Sequence, residues 1–133
     1  CKTKDYQFTD LISASLIKYA INTFLATKVT FFNELNKIFK ESNAIDSWSN
    51  FIKIIAIDKR VGSSHMDVPG FDGKRGYGGT CFPKDCKALI KYSEEINSPF
   101  ELLKKTNEIN NKIRKQYNSL SEREINQNIN YDD

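Results

Sequence analysis

TDLISASLIKYAINTFLATKVTFFNELNKIFKE, residues 9–41, is the stretch whose reading decides the fold. Leu16, Ile17, Ile21, Phe24, Leu25, Phe32, Leu35, Ile38 and Phe39 recur at spacings of three and four, the period of an amphipathic helix. Thr9 can cap that helix and Asp10 suits its positive end. At 1.5 Å per residue it would extend roughly 50 Å, beyond the width of a domain built from a chain of this size. Such a helix needs something outside its own domain to pack against. A second copy is the simplest partner, giving a homodimer through residues 9–41, and a partly frayed exposed end is the alternative.

Working outward, Asp46 or Ser47 caps a second helix that runs to about Val61 and is stopped by Gly62, with Trp48, Phe51, Ile52, Ile55 and Ala56 as its apolar face. A third helix starts at Pro83 and carries Ala88, Leu89, Ile90 and Tyr92 to about Ile96. Ser98, Pro99 and Glu101 read as a capping box with proline at the first helical position, opening a fourth helix to about Tyr117. No segment alternates with period two for long enough to be a strand, so the expected fold is all-α, one long central helix with shorter helices packed on it. Residues 1–117 form the expected domain. Residues 118–133, polar and rich in asparagine, read as a frayed tail or the start of a linker.

Between the second and third helices lies PGFDGKRGYGGTCFPKD, residues 69–85, which holds five of the six glycines of the chain. Glycines tolerate φ > 0 and carry no side chain to block a close approach. The loop delivers Cys81 to the start of the third helix, where unsatisfied N–H groups and the positive helix end stabilise a thiolate. Lys74 and Arg75 put two cations beside the glycines, a suitable surround for a diphosphate or simply a solvated basic turn. Asp85, four residues after Cys81, falls in the first helical turn, a helix-capping position.

Lys18 and Asn22 lie four apart on the long helix and project from one face. Arg60, in IDKRVG near the end of the second helix, reads first as compensation of a helix C-terminus. Cys86 reads as a packed or partly exposed thiol.

Two blocks then carry a resemblance. GYGGTCFPKD resembles the catalytic-cysteine motif of the UDP-glucose/GDP-mannose dehydrogenase family, and SASLIKYAINTFLATKVTFFNE resembles that family's central helix. DKRVG joins them at a suitable spacing, and together they cover roughly residues 9–110. The resemblance implies the central helical domain of an enzyme most similar to the UDP-glucose 6-dehydrogenases, with a fold like the C-terminal helical domain of 6-phosphogluconate dehydrogenase. It implies a four-electron oxidation of a sugar-nucleotide C6 alcohol to a carboxylate, with two NAD molecules and a thioester on Cys81. Lys18 and Asn22 would stabilise the oxyanion, Asp85 would activate water, and Tyr77 and Gly78 would line the sugar-nucleotide pocket, beside the Lys74 and Arg75 cations read above from the loop itself. Arg60 would reach across a dimer interface to the other subunit's sugar. Lys28, Asn33 and Glu34 match the family helix in structural positions, and the sequence departs from the pattern at Ser15, where the family usually carries glutamate.

The cofactor and nucleotide domains of the family are expected before residue 1 and after residue 133, since the chain contains no GxGxxG after a strand and opens on Cys1 without an initiator methionine. No NAD is expected to bind this chain alone. GDP-mannose is the alternative substrate class, and a helical dimerisation module without catalysis is the alternative of a different kind. A net charge of +3 gives little ground for nucleic-acid binding, so a phosphate or nucleic-acid role for the glycine loop is the weakest reading. Three cysteines and one histidine support neither a disulfide framework nor a zinc site. No apolar run approaches the ~20 residues of a membrane span, and a soluble cytoplasmic protein is expected.

Overall fold

The computed structural model describes residues 9–132; the first eight residues, including Cys1 and the start of the expected 1–117 domain, and Asp133 lie outside the described residues. Five helices follow one another: α1 Leu11–Glu41, α2 Trp48–Ile55, α3 Cys81–Glu95, α4 Glu101–Arg114 and α5 Glu122–Asn126. Among the described residues there is no strand, and the all-α expectation holds. No helix among them is long and apolar enough to cross a membrane.

Helix α1 is the axle on which α3 and α4 pack. Its buried face is small and polar: Thr23, Ala26, Thr30, Asn33 and Asn36 join Phe32 there. Thr23, Thr27 and Thr30 return their hydroxyls to the carbonyls of Tyr19, Thr23 and Ala26 at 2.7–3.0 Å, so no hydroxyl proton is stranded where the helices meet. The apolar stripe expected along α1 is therefore two stripes. Phe32, Leu35 and Phe39 turn inward to α2, where Phe39 meets Trp48 and Phe51 at ring separations of 5.6 and 4.7 Å. Ile17, Ile21, Phe24, Phe31 and Ile38 face outward, each more than half exposed.

Two apolar clusters result. Ala26, Tyr77, Cys86, Leu89 and Leu103 fill the junction of α1, α3, α4 and the glycine loop, while Phe32, Ile52 and Met66 form the second beneath α2. Burying the larger of these, such as Leu103, Phe32 and Ile52, contributes about 1.5–3 kcal/mol each.

Several sequence-predicted boundaries move. Asp10, not Thr9, caps α1, its carboxylate accepting from the Ser13 amide at 2.8 Å and the Ser13 hydroxyl at 2.9 Å. Ser47 rather than Asp46 caps α2, and α2 ends at Ile55 instead of reaching Val61. There the Asp58 carboxylate takes both the Arg60 amide and its guanidinium, replacing helical hydrogen bonding with a local turn. Helix α3 begins at Cys81, two residues ahead of Pro83, whose missing N–H falls among the orphan donors of the first turn.

The capping box expected at Ser98 does not form. Ser93 supplies the contacts instead, its carbonyl accepting from the Ser98 amide at 2.8 Å and its hydroxyl from the Phe100 amide at 3.1 Å, and α4 runs from Glu101 to Arg114. A capping box does form at Ser121 and Glu124, opening α5. The segment expected to fray after Asn118 packs back onto α4, with Glu124, Ile129 and Tyr131 buried and Ile125 exposed.

Candidate functional site

Cys81 is exposed at the first position of α3, and Asp85, one turn later on the same face, is buried. On α1, Lys18 and Asn22 are again one turn apart. The two pairs are joined by a hydrogen bond of 2.6 Å from the Asn22 amide to the Asp85 carboxylate. An amide nitrogen has two donors, so one remains for another acceptor while the first satisfies a carboxylate that is only 6% exposed. Lys18 is exposed, its ammonium 5.8 Å from the Tyr19 ring centroid. The Cys81 sulfur has the Thr80 hydroxyl 3.9 Å away.

Cys86 differs in every respect. It is fully buried, and burial, ahead of a hydrogen bond with Tyr77 that works the other way, pushes its thiol up to about 11. At neutral pH it is an inert core thiol. The first turn of α3 thus displays one cysteine and hides the other.

The glycine loop is clamped by asparagines. The Gly76 amide donates to the Asn33 side chain at 2.8 Å, and the Tyr77 amide to the Asn110 side chain at 2.7 Å. Asn110 returns its own amide to the Tyr77 carbonyl at 3.0 Å, so one side chain pairs both backbone groups of Tyr77 as a neighbouring strand would. Tyr77 is buried, and its hydroxyl, which reaches Asn107 at 3.4 Å, is held protonated far above the ordinary range by that burial. Gly76 sits at φ +75°, with no room for a β-carbon beside Asn110. Gly78 has ordinary backbone angles but lies flat against the Arg114 guanidinium, which leaves no space for a side chain.

Lys74 and Arg75 are committed inside the chain. Arg75 donates to the Asn36 side chain and the Asn33 carbonyl, both at 2.9 Å, and Lys74 to the Ser119 carbonyl at 2.6 Å. Their immediate work in this structure is to fasten the loop to α1 and to the segment after α4. Arg60 stands apart from the α1–α3 pairs. Its side chain is 90% exposed, held in a bidentate pair with Asp58 that raises the guanidinium's proton affinity and lowers the carboxylate's. Lys28 lies beside it on α1, donating to the Val61 carbonyl at 2.8 Å, a structural role in keeping with the reading of that position.

Sequence reasoning missed Arg114 and, apart from Asn33, the buried asparagines. The abundance of asparagine reads as compositional, yet Asn33, Asn36, Asn107, Asn110 and Asn111 are all buried. The signal that could have found them is spacing: 33 and 36, and 107 and 110, are three apart and share a helix face with apolar neighbours.

A groove of about 980 Å³ opens beside the glycine loop, lined by Trp48, His65, Pro69, Tyr77, Gly78 and Phe82 among others. Ser15, at the departure from the family pattern, lines a smaller apolar groove of about 370 Å³ with Leu16, Tyr19 and Tyr92. Among the described residues there is no group of three or more His, Cys, Asp or Glu side chains placed to hold a metal ion.

Comparison with known proteins fits this geometry. Residues 12–112 match the model of the UDP-glucose/GDP-mannose dehydrogenase family, central domain. The chain is 42% identical over 107 residues to UDP-glucose 6-dehydrogenase YwqF of Bacillus subtilis (strain 168), covering 77% of this chain and 22% of that protein. It is 45% identical over 82 residues to UDP-glucose 6-dehydrogenase of Rickettsia bellii, covering 61% and 17%, and 37% identical over 103 residues to that of Rhizobium meliloti, covering 77% and 22%. The chain spans about a fifth of the length of these relatives. With its helical architecture, its paired α1 and α3 side chains and a match over most of its length, the chain belongs to the UDP-glucose/GDP-mannose dehydrogenase family, as its central domain.

Proposed function

We propose that this domain supplies the catalytic cysteine of an NAD-dependent UDP-glucose 6-dehydrogenase, which oxidises the sugar C6 alcohol to a carboxylate in two steps. The observation that carries the reading is the exposed Cys81 on the same helical face as Asp85, with Asp85 tied to Asn22 of α1. A structural cysteine is buried, as Cys86 is, and has no use for a carboxylate one turn away.

In this reading the Cys81 sulfur attacks the C6 carbonyl carbon of the aldehyde, forming the S–C bond and placing negative charge on the carbonyl oxygen. The Lys18 ammonium and the free donor of Asn22 receive that charge, an arrangement whose single donors are typically worth about 10²–10³-fold in rate. In the last stage Asp85 accepts a proton from water as it adds to the thioester; the C–S bond breaks, and Cys81 leaves as thiolate while the carboxylate forms. Asn22 holds the carboxylate of Asp85 for that step. Tyr77 and Gly78, fixed by Asn110 and Arg114, form the wall toward the sugar.

NAD supplies hydride acceptance in this reading. The described residues offer no strand, turn and helix to cradle a dinucleotide, so they do not fit the cofactor. The outward stripe of Ile17, Ile21, Phe24, Phe31 and Ile38 supports a second part of the proposal, a homodimer along α1. In such a dimer the exposed Arg60 would act on the partner subunit's sugar. The stripe also suits a dimerisation module without catalysis, but such a module has no use for the Asn22–Asp85 pair. A cytoplasmic location belongs to the same proposal.

The test is a chimera in which this chain replaces the matching segment of YwqF. Uronate formation from UDP-glucose is expected, and it is expected to collapse on Cys81→Ser while UDP-glucose binding stays near the parental level. Uronate formation at the parental rate by the serine variant would remove Cys81 from the chemistry.

A further inference from the structure

Arg114 is the last residue of α4 and among the most deeply buried charges in the molecule, its side chain 2% exposed. Its guanidinium faces two ways. Toward the glycine loop it donates to the Asp72 carboxylate at 2.7 Å and the Arg75 carbonyl at 3.2 Å, and it lies against Gly78. Toward the C-terminal segment it meets the Glu124 carboxylate at 3.5 Å and stands 5.6 Å from the Tyr131 ring centroid. Glu124 is fully buried, accepts a hydrogen bond from the Tyr131 hydroxyl, and closes the capping box of α5. Burial alone would raise its pKa, but hydrogen bonds from Tyr131 and Ser121 and the charge of Arg114 hold it below the ordinary carboxylate value.

A buried guanidinium needs its anions, because leaving it unpaired in the interior is far costlier than leaving it in water. Two carboxylates from two different segments share this one cation. Asp72 makes the closer contact at 2.7 Å but is 40% exposed and solvated, while the enclosed Glu124 lies 3.5 Å from the same nitrogen and is the anion on the interior side. The place of the guanidinium in turn sets the Gly78 wall and the Asp72 and Arg75 anchors of the loop. The same two segments are stitched at the edge by Lys74 to the Ser119 carbonyl and by the Arg75 amide to the Tyr117 hydroxyl at 2.8 Å.

We propose that Arg114 is a positioning residue that couples the seating of residues 121–132 to the shape of the loop ahead of Cys81. Seated, Glu124 and Tyr131 hold the guanidinium against Gly78 and keep Gly76 and Tyr77 in the grip of Asn33 and Asn110. Unseated, the guanidinium follows its remaining partners toward solvent and the loop loses its back wall. Whatever docks on or follows residue 132 thereby acts on the loop without touching it. The consequence for substrate rests on the function proposed above, in which Tyr77 and Gly78 wall the sugar-nucleotide pocket.

The test is amide hydrogen exchange of this chain by NMR, in the parent and in Glu124→Gln and Tyr131→Phe, both of which lie outside the loop. The Gly76 and Tyr77 amides, which donate to buried side chains, are expected to exchange about fivefold faster or more in both variants. The amides of Ala26 and Leu89 in the core, and alkylation of the enclosed Cys86, are expected to stay at parental rates. Tyr131→Phe is the milder change and keeps the test open should Glu124→Gln unfold the chain. Unchanged exchange at Gly76 and Tyr77, or a uniform rise over the whole chain, would overturn the coupling. In the YwqF chimera Glu124→Gln is expected to raise KM for UDP-glucose several-fold more than it lowers kcat. A fall in kcat with KM unchanged would argue against positioning of the loop. The exchange result stands or falls without any dehydrogenase activity, so it separates failure of the coupling from failure of the functional reading.

Discussion

Replacing Gly76 by alanine should be among the most damaging single-methyl additions possible in this chain. Two costs add. At φ +75° an L-residue pays roughly 1–2 kcal/mol for the left-handed conformation. The new β-carbon would also lie 2.5 Å from the Asn110 side-chain oxygen and 3.2 Å from Ile113, neither of which can give way freely. Asn110 is fully buried and spends that oxygen on the Tyr77 amide and its nitrogen on the Tyr77 carbonyl. Moving it strands two buried backbone groups at about 1–3 kcal/mol each, so with the conformational cost the sum is on the order of 3–8 kcal/mol. Against a total stability of about 5–15 kcal/mol, that is a large fraction. Gly73→Ala provides the control, since Gly73 shares φ +75° but has nothing within 4 Å of an added β-carbon, leaving only the conformational cost of roughly 1–2 kcal/mol. Urea denaturation followed by circular dichroism measures both. Equal losses in the two variants would refute the argument that Asn110 clamps the loop.

Iodoacetamide should alkylate Cys81 well before Cys86, because one thiol is exposed and the other is enclosed with its pKa pushed up to about 11; adduct mapping by mass spectrometry over time decides it, and preferential labelling of Cys86 would count against the site. Phe24→Glu with Phe31→Glu should leave helicity intact and turn a dimer into a monomer in sedimentation equilibrium, whereas a parent chain that sediments at 15 kDa at micromolar concentration would remove the dimer from the account. Because the Glu124 pKa is lowered on folding, its contribution is fully present above the unfolded carboxylate value of about 4.5 and is lost as pH falls through the lower folded value. The melting temperature of the parent should therefore drop more steeply than that of Glu124→Gln below about pH 4.5, and parallel curves would contradict the buried pair.

What the sequence revealed and what it concealed divide along physical lines. The long helix was legible because thirty-odd residues of 3.6 periodicity leave little else for a chain to do, and the glycine loop because left-handed and close-packed backbone demands glycine. The Lys18/Asn22 and Cys81/Asp85 pairs were legible as i, i+4 spacings and through family resemblance, but the Asn22–Asp85 bond that joins them spans 63 positions and has no local signature. Periodicity could not say which apolar residues of α1 face the chain, because Thr23, Ala26 and Thr30 take the inward face where α3 and α4 approach. The capping box was misplaced for a similar reason: Ser98 has the right neighbours, but the hydroxyl of Ser93 reaches the vacant amide first. Most hidden was the C-terminal segment, whose polar composition argues for fraying until Arg114 provides a buried cation for Glu124. Polar residues that satisfy one another are indistinguishable, in a linear sequence, from polar residues that face water.

The most direct test of the central claim is to acid-quench the YwqF chimera during turnover of UDP-glucose and map its peptides by mass spectrometry. The account predicts a uronyl adduct confined to the Cys81 peptide, accumulating further in Asp85→Asn, where water addition is slowed. Uronate formed with no adduct on Cys81 in either protein, or an adduct carried by another residue, would contradict it.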